Sequence, residues 1–143
     1  MGRGTRRSVL HTRELEDGSR GCYIYGCRAV ATRWISMHRF GQADWLKTSY
    51  CQNHGDGSLY DPCHSHRVTP ASGAGAPVVS AQTMRALRRE RMVLSVVAES
   101  PDGTTVSGVV IGMGSRLCVQ IPDGGGLVED IRPETVRELE VRP

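Results

Sequence analysis

Lysine and aromatic residues are scarce in this chain of 143 residues. Of its 18 basic residues only Lys47 is a lysine, and the rest are arginine. Together with abundant glycine, alanine and valine, this bias indicates a high-GC coding genome. All of the aromatic side chains lie between Tyr23 and Tyr60, so residues 68–143 contain none. Any function that needs an aromatic groove is therefore confined to the N-terminal half.

The chain also lacks long apolar runs and an even number of cysteines. No stretch approaches the roughly eighteen apolar residues that a membrane helix needs. The basic N-terminus is followed by no apolar segment, so we predict no signal peptide. Five cysteines without a secretion signal argue against a disulfide framework and favour a reducing compartment. We expect a cytoplasmic protein with no membrane association and no small-molecule substrate.

Cysteine and histidine are concentrated between Cys22 and His66. Cys22 and Cys27 form a Cys-x4-Cys pair, and Cys51 and His54 form a Cys-x2-His pair. Two close pairs separated by a loop suit tetrahedral Zn²⁺, because each pair occupies two corners of the ion from one turn. Three thiolates and one imidazole leave no open position, as is typical of a structural zinc site.

Further possible ligands follow directly after these pairs. Cys63, His64 and His66 could replace His54 or form part of a second site. A second complete site would need another ligand, such as His38. We therefore predict one zinc ion per chain.

The runs Gly21-Cys22-x4-Cys27-Arg28-Ala29 and Tyr50-Cys51-x2-His54-Gly55 flank an aromatic-rich loop. Together they resemble the short Cys3His zinc fingers of small bacterial and phage proteins. The resemblance covers about a quarter of the chain. It implies metal binding and names no single activity, since such fingers occur in proteins of many functions.

Composition divides the chain into five segments. We predict a basic flexible arm at residues 1–20, a zinc-finger module at 21–67, a Gly/Ala/Pro linker at 68–79, a short amphipathic helix at 80–90 and a small β-barrel at 91–143. Ser80 is the expected N-cap of the helix, and Met84 and Leu87 share its apolar side. Aromatic side chains and zinc should supply the stability of the finger module, which we expect to unfold without metal, independently of the barrel.

From Arg91 onward the apolar residues alternate with the two-residue period of strands. We predict strands at residues 92–99, 105–111, 116–121, 127–131 and 137–141, with tight turns between them. The order of these elements resembles SH3-like barrels of the Tudor or KOW kind. The predicted fold class is a small zinc-stabilised module plus an all-β SH3-like five-stranded barrel, with a short connecting helix.

The absence of aromatic residues after position 67 limits what such a barrel can bind. Proline-peptide grooves and methyl-lysine cages are both built from several aromatic side chains. Neither is therefore expected in this barrel. It should act as a scaffold, as a protein-docking surface or as a nucleic-acid surface that uses loops and arginines.

Net charge is unevenly distributed along the chain. Residues 1–67 carry ten basic and six acidic side chains, whereas residues 68–143 carry eight basic and nine acidic ones. Basic side chains among aromatic rings favour contact with phosphates and bases, so binding of DNA or RNA is the leading hypothesis. The candidate contacts are Arg28, Arg33, Arg39, Lys47 and Arg67 in the finger module and Arg85, Arg88 and Arg89 on the helix.

A nuclease is a remote alternative. The run from Leu59 to Arg67 resembles the closing segment of HNH nucleases, although Tyr60 replaces the first cysteine of that pattern. An upstream Asp-His pair at the distance required for catalysis is absent, because His54 lies only ten residues before His64. We therefore expect a protein that is not an enzyme.

A non-catalytic interaction protein is the closer alternative. Small zinc fingers also bind proteins, and the slightly acidic C-terminal half favours a protein partner. Such a protein would be an adaptor, or an accessory or structural factor of a phage, with a host or phage protein as its partner. The composition is compatible with an actinobacterial or phage origin.

Overall fold

A computed structural model of the chain describes residues 8–15, 19–38 and 45–143. This part is mostly β-sheet, with one short α-helix. The strands are β1 (Ser8–His11), β2 (Arg13–Glu14), β3 (Arg20–Gly21), β4 (Arg33–His38), β5 (Trp45–Tyr50), β6 (His66–Pro70), β7 (Val93–Glu99), β8 (Thr105–Met113), β9 (Leu117–Gln120), β10 (Leu127–Ile131) and β11 (Glu138–Arg142). Helix α1 spans Ala81–Arg89, and 3-10 helices span Asp56–Tyr60 and Pro133–Thr135.

Nine of the strands form one continuous sheet. Their order is β1-β5-β4-β6-β11-β7-β8-β9-β10, and β2 pairs with β3 in a separate two-stranded sheet. Every pairing in the large sheet is antiparallel except that of β1 with β5. The contact between β6 and β11 joins strands from the two predicted modules.

One row of side chains crosses the middle of this sheet. Ile35 of β4 is paired with Val68 of β6, Val68 with Leu139 of β11, and Leu139 with Val96 of β7. All four are buried. Because paired residues point to the same face, the row forms part of the apolar side of the sheet. A single hydrophobic core therefore extends from β4 to β7.

Helix α1 and the first 3-10 helix contribute to the same core. The helix begins at Ser80, whose hydroxyl accepts a hydrogen bond from the Thr83 N–H at 3.1 Å, as expected of an N-cap. Met84 and Leu87 are buried on one side of the helix, and Leu59 is buried under the 3-10 turn. The predicted helix and its cap are confirmed.

The predicted linker at residues 68–79 is corrected by the structure. Residues 68–70 complete strand β6, and Val78 and Val79 are buried in the common core. The Val78 N–H also donates a hydrogen bond to the Val136 carbonyl oxygen at 3.1 Å. The boundary predicted between residues 67 and 68 falls inside a strand. The cysteines and histidines just before Val68 were interpreted as the end of the zinc-finger module, so the short strand β6 was not predicted.

The five C-terminal strands lie within one or two residues of their predicted positions. In β7, buried residues alternate with more exposed ones, which is the pattern that predicted the strand. Within the described residues these strands do not close into a barrel, because β10 pairs only with β9. The five strands instead continue the open sheet.

The predicted flexible arm is described only in part. Residues 8–11 form β1, and the rest of the arm contributes β2 and part of β3. Residues 1–7 and 16–18 lie outside the described residues. In the part of the chain that the structure describes, no helix has the length and apolar character required to cross a membrane.

Candidate metal centre

The four predicted zinc ligands lie together at one end of the sheet. Cys22 follows β3 directly, Cys27 ends the next loop, and Cys51 and His54 follow β5. Their ligand atoms all lie within 4.8 Å of one another. The Cys51 sulfur is 3.2 Å from His54 Nδ1 and the Cys22 sulfur is 3.6 Å from the same nitrogen. These four residues could therefore hold a metal ion.

The geometry and donor set fit zinc. Typical Zn–S and Zn–N bonds place the ligand atoms of a tetrahedral site about 3.5–3.8 Å apart. The sulfurs of Cys27 and Cys51 are 3.9 Å apart, close to the upper value, and the two sulfur–nitrogen separations of 3.2 and 3.6 Å lie on either side of the lower one. Cys22 and Cys51 are buried and Cys27 and His54 are half-buried, so the site is partly shielded from solvent. In a reduced chain, three thiols so close together are expected to share a cation.

The surroundings of Cys22 and Cys51 shift the pKa values of the two thiols in opposite directions. Burial raises the pKa of the Cys22 thiol, but hydrogen bonds from the backbone at Cys51 and Ile24 and from the side chains of Cys51 and His54 together outweigh burial and lower the pKa to about 7. At Cys51, burial raises the pKa, and the neighbouring Cys22 and Cys27 raise it further, against a hydrogen bond from the backbone at Asn53. Backbone donors to ligand sulfurs orient them toward a metal. A bound cation would stabilise these closely spaced sulfurs as thiolates.

Two glycines allow the ligand turns to form. Gly26, just before Cys27, has φ +85°, and Gly55, just after His54, has φ +102°. Most side chains avoid this region, which glycine adopts freely. A Cβ at Gly55 would also lie 2.6 Å from the ring of Tyr50, so the ring and the turn approach each other closely. Substitution of Gly55 should therefore displace His54.

Arg33 holds the turn of the second ligand pair, Cys51 and His54, through hydrogen bonds to its backbone. Its side chain is only 1 % exposed. The guanidinium donates hydrogen bonds to the carbonyl oxygens of Cys51 at 3.3 Å and His54 at 2.5 Å, and to that of Val78 at 2.9 Å. It also forms an ion pair with Asp56 at 2.5 Å. Arg33 therefore fixes the Cys51–His54 turn.

This position corrects the prediction that Arg33 contacts nucleic acid. A buried guanidinium whose donors are directed at carbonyl oxygens and a carboxylate is not accessible to a phosphate group. The sequence pattern of arginine beside tryptophan is the same for a surface arginine and a buried one. Arg33 has a structural role because its position on β4 faces the protein interior.

Asp56 and Thr83 extend the network to the helix, and sequence analysis identified neither residue. One carboxylate oxygen of Asp56 contacts Arg33, and the other accepts a hydrogen bond from the Thr83 hydroxyl at 2.7 Å. Thr83 lies in the first turn of α1. Residues far apart in sequence therefore connect the metal centre to the helix. An Asp two residues after a predicted ligand was the available signal for Asp56.

The alternative ligands lie apart from the four-residue cluster. Cys63 is exposed, and His64 Nδ1 lies 2.7 Å from a carboxylate oxygen of Asp61. His66 is 3 % exposed on β6, and its Nδ1 has no hydrogen-bond partner in the described structure. Among the described residues, Cys22, Cys27, Cys51 and His54 form the one group with metal-ligand geometry.

Two of the predicted nucleic-acid contacts, Lys47 and Arg67, lie on the face of the sheet opposite the core. Lys47 Nζ lies 4.7 Å from the centre of the Trp34 ring, and the guanidinium of Arg67 lies 4.6 Å from the centre of the Trp45 ring. Arg20 occupies the same relation to Trp34, at 4.6 Å. We call these five residues the cation–aromatic face. They place cations and rings together, as a basic surface for nucleic acid requires.

The remaining candidates are dispersed. Arg28 is exposed beside the metal centre, and Arg39 lies outside the described residues. On α1, Arg85 donates two hydrogen bonds to the Gly114 carbonyl oxygen, at 3.0 and 3.3 Å. Arg88 and Arg89 lie beside it around a shallow cavity. The helix arginines thus form a second basic patch, partly engaged by the turn after β8.

Comparison with protein families, curated proteins and solved structures finds no match to this chain. Its function must therefore be argued from its own geometry.

Proposed function

We propose that this chain is a non-catalytic zinc-binding protein that binds nucleic acid through a basic, aromatic-rich surface. The observation that carries the proposal is the convergence of three sulfurs and one imidazole nitrogen within 4.8 Å. A centre with four protein ligands leaves no position for a substrate or a reactive water. Zinc in such a site stabilises the fold and performs no chemistry.

The cation–aromatic face supports the choice of nucleic acid. Arg20, Lys47 and Arg67 are held over tryptophan rings, so their cationic groups need little further ordering before they meet phosphates. From Gly18 to Ala43 the sequence contains no carboxylate, and two of its four arginines, Arg20 and Arg28, are exposed. This distribution favours a polyanion as the partner.

A protein partner is the second candidate, and a groove on the same face favours it. The groove crosses β6, β11, β7 and β8, and its rim includes Glu138, Glu140 and Val97. Arg67 Nε lies 3.6 Å from a carboxylate oxygen of Glu140. Acidic and apolar groups beside a cation suit a basic peptide better than a phosphate backbone. The chain would then act as an adaptor or as an accessory factor of a phage.

The nuclease alternative receives the least support. His54 directs Nδ1 at the cysteine sulfurs, and His64 directs Nδ1 at Asp61. Each is engaged in a separate contact, and neither forms part of a pair around a common vacant position.

We also propose that residues 91–143 are an SH3-like unit. Support comes from the strand order β11-β7-β8-β9-β10, in which the last strand lies beside the first. Irregular register between Val110 and Gly112 and between Val128 and Ile131 bends β8 and β10. Bends of this kind are how a short sheet curves toward closure.

A cytoplasmic location completes the proposal. All five cysteines are free, and a reducing compartment keeps thiols from forming disulfides. The proposed function is tested by loading the full chain with zinc and measuring its retention on immobilised DNA and RNA over a salt gradient. Steep loss of retention with salt is expected, since released counterions dominate phosphate binding. No retention on either polymer at low salt would contradict nucleic-acid binding and favour the adaptor.

A further inference from the structure

The loop between the first two metal ligands presents aromatic side chains to solvent. Tyr25 is 98 % exposed, and its neighbours Tyr23 and Ile24 are 42 % and 37 % exposed. Trp34, by contrast, is only 6 % exposed beneath Arg20 and Lys47. Tyr25 has no structural role in the core that would explain a large ring at this position. Adjoining exposed apolar side chains, rather than single ones, mark contact sites, and Tyr23, Ile24 and Tyr25 are adjacent.

The loop is held in a defined shape. Its two ends, Cys22 and Cys27, are both members of the metal cluster. The Cys27 N–H donates to the Ile24 carbonyl oxygen at 3.0 Å, which closes a turn around Tyr25 and Gly26. Arg13 Nη1 donates to the same Ile24 oxygen at 2.8 Å. A ring on a pre-organised turn loses little conformational entropy when it binds a partner.

The surroundings of the loop carry positive charge. Arg28 is exposed three residues after Tyr25, and Arg13 lies against the loop backbone. Tyr23 of the same loop forms a ring pair. It stacks on His11, with ring centres 5.2 Å apart and planes inclined by 17°. Flat rings and cations together match a polyanion with exposed bases. A protein partner would be matched better by carboxylates or a wider apolar patch.

We propose that Tyr25 is a stacking platform for an unpaired base of single-stranded DNA or RNA, and that Arg28 contacts the adjacent phosphate. This inference rests on the proposed nucleic-acid binding and specifies its substrate as single-stranded. In a duplex, each base is already stacked between its neighbours and paired. The Tyr25 ring has no access to a base face there, so duplex binding would use only the cationic groups.

The test uses the full zinc-loaded chain and fluorescently labelled oligonucleotides of about 16 nucleotides, single-stranded or in duplex. Tyr25→Ala is expected to weaken single-strand binding by about tenfold, since loss of one base–aromatic stack has an effect of this order. Tyr25→Phe should retain the wild-type affinity, because a phenyl ring also stacks. The matched control is Tyr60→Ala, which removes another exposed tyrosine outside the loop.

The outcomes separate this inference from the proposed function. If Tyr25→Ala leaves single-strand affinity unchanged while Lys47→Ala with Arg67→Ala reduces it, the stacking platform is overturned and nucleic-acid binding stands. If Tyr25→Ala weakens duplex and single strand equally, base stacking is again overturned. If the wild-type chain binds neither oligonucleotide, both proposals are overturned. If the wild-type chain were a dimer and the Tyr25→Ala variant a monomer with unchanged nucleic-acid affinity, the stacking platform would be overturned and the loop would be a self-association surface.

Discussion

Arg33 Nη1 donates a hydrogen bond at 2.9 Å to the carbonyl oxygen of Val78, a residue 45 positions further along the chain. Arg33 lies on β4 directly under the metal centre, and Val78 precedes helix α1. The same guanidinium holds the His54 carbonyl oxygen. One buried side chain therefore connects the ligand turn to the core that the helix covers. The first three predictions below follow from the metal centre and this connection.

We predict that the purified chain binds one zinc ion, and that Co²⁺ in its place gives the absorption spectrum of a tetrahedral site rich in thiolates. Cys51→Ser should abolish stoichiometric binding, because Cys51 approaches both Cys27 and His54. Native mass spectrometry and metal analysis measure the stoichiometry. Cys63→Ser is the matched control and should retain one zinc, since Cys63 is exposed and lies outside the cluster.

Removal of zinc should disturb more than the ligand loops. Chelation releases the Cys51–His54 turn that Arg33 holds, and Arg33 lies on β4. Because β4 pairs with β6 and β6 pairs with β11, amide protection should fall in all three strands together. Hydrogen exchange with and without chelator measures this. Full protection of β11 after chelation would show that the C-terminal strands fold without the metal half.

Arg33→Ala should lower the free energy of unfolding by about 3 kcal/mol or more. Loss of the guanidinium removes a hydrogen bond from each of three carbonyl oxygens and leaves Asp56 without its cation. Denaturant unfolding in excess zinc measures the change. Arg28→Ala removes an exposed arginine six residues after Cys22 and should change stability by less than about 0.5 kcal/mol. If the two substitutions lowered the free energy of unfolding equally, the role of Arg33 in holding the Cys51–His54 turn would be contradicted.

The stability of the chain should fall in mild acid because of His66. Burial lowers the pKa of His66 from its ordinary value of 6.5, against the opposing charge of Asp61. Below that value the unfolded chain binds a proton at this ring more readily than the folded chain, so the free energy of unfolding falls as pH falls.

The measurement compares wild type with His66→Leu by denaturant unfolding between about pH 7 and pH 5. Leucine does not titrate, so the variant should lose less stability than wild type over this range. The metal ligands titrate equally in both proteins and cancel in the difference. Parallel curves for the two proteins would show that His66 is not responsible.

If the cation–aromatic face binds phosphates, Lys47→Ala with Arg67→Ala should weaken nucleic-acid binding on all sequences alike. The dependence of log affinity on log salt should fall by about 0.7–0.9 for each phosphate group that is no longer neutralised. Arg116→Ala, an exposed arginine in the turn between β8 and β9, is the control and should leave the slope unchanged. A protein-docking role would instead give a weak salt dependence in all variants.

Local patterns in the sequence predicted much of the metal centre and most of the C-terminal elements. The Cys-x4-Cys and Cys-x2-His pairs identified all four members of the cluster, because ligand spacing is a property of short turns. Ser80 and the alternation after Arg91 likewise located α1 and the five strands, since capping and two-residue periodicity act over a few residues.

Pairing between distant strands could not be predicted in the same way. The β6–β11 ladder brings Val68 and Leu139 together across 71 positions. Neither local segment specifies its partner, since many apolar strands could have paired with β6. The sequence therefore suggested two modules and a linker where the described residues have one nine-stranded sheet that spans both modules and one core.

Residue types and their short-range order are what the sequence by itself determined: a set of candidate metal ligands, a capped helix, a series of strands and a net positive charge in the N-terminal half. The tertiary structure alone decided which arginines are available to a partner. Arg33 points inward to carbonyl oxygens and Asp56, whereas Lys47 and Arg67 point outward over tryptophan rings. The reason is that the face a strand residue occupies is fixed by the pairing of its whole sheet, and the same side chain is a structural clamp on one face and a binding group on the other.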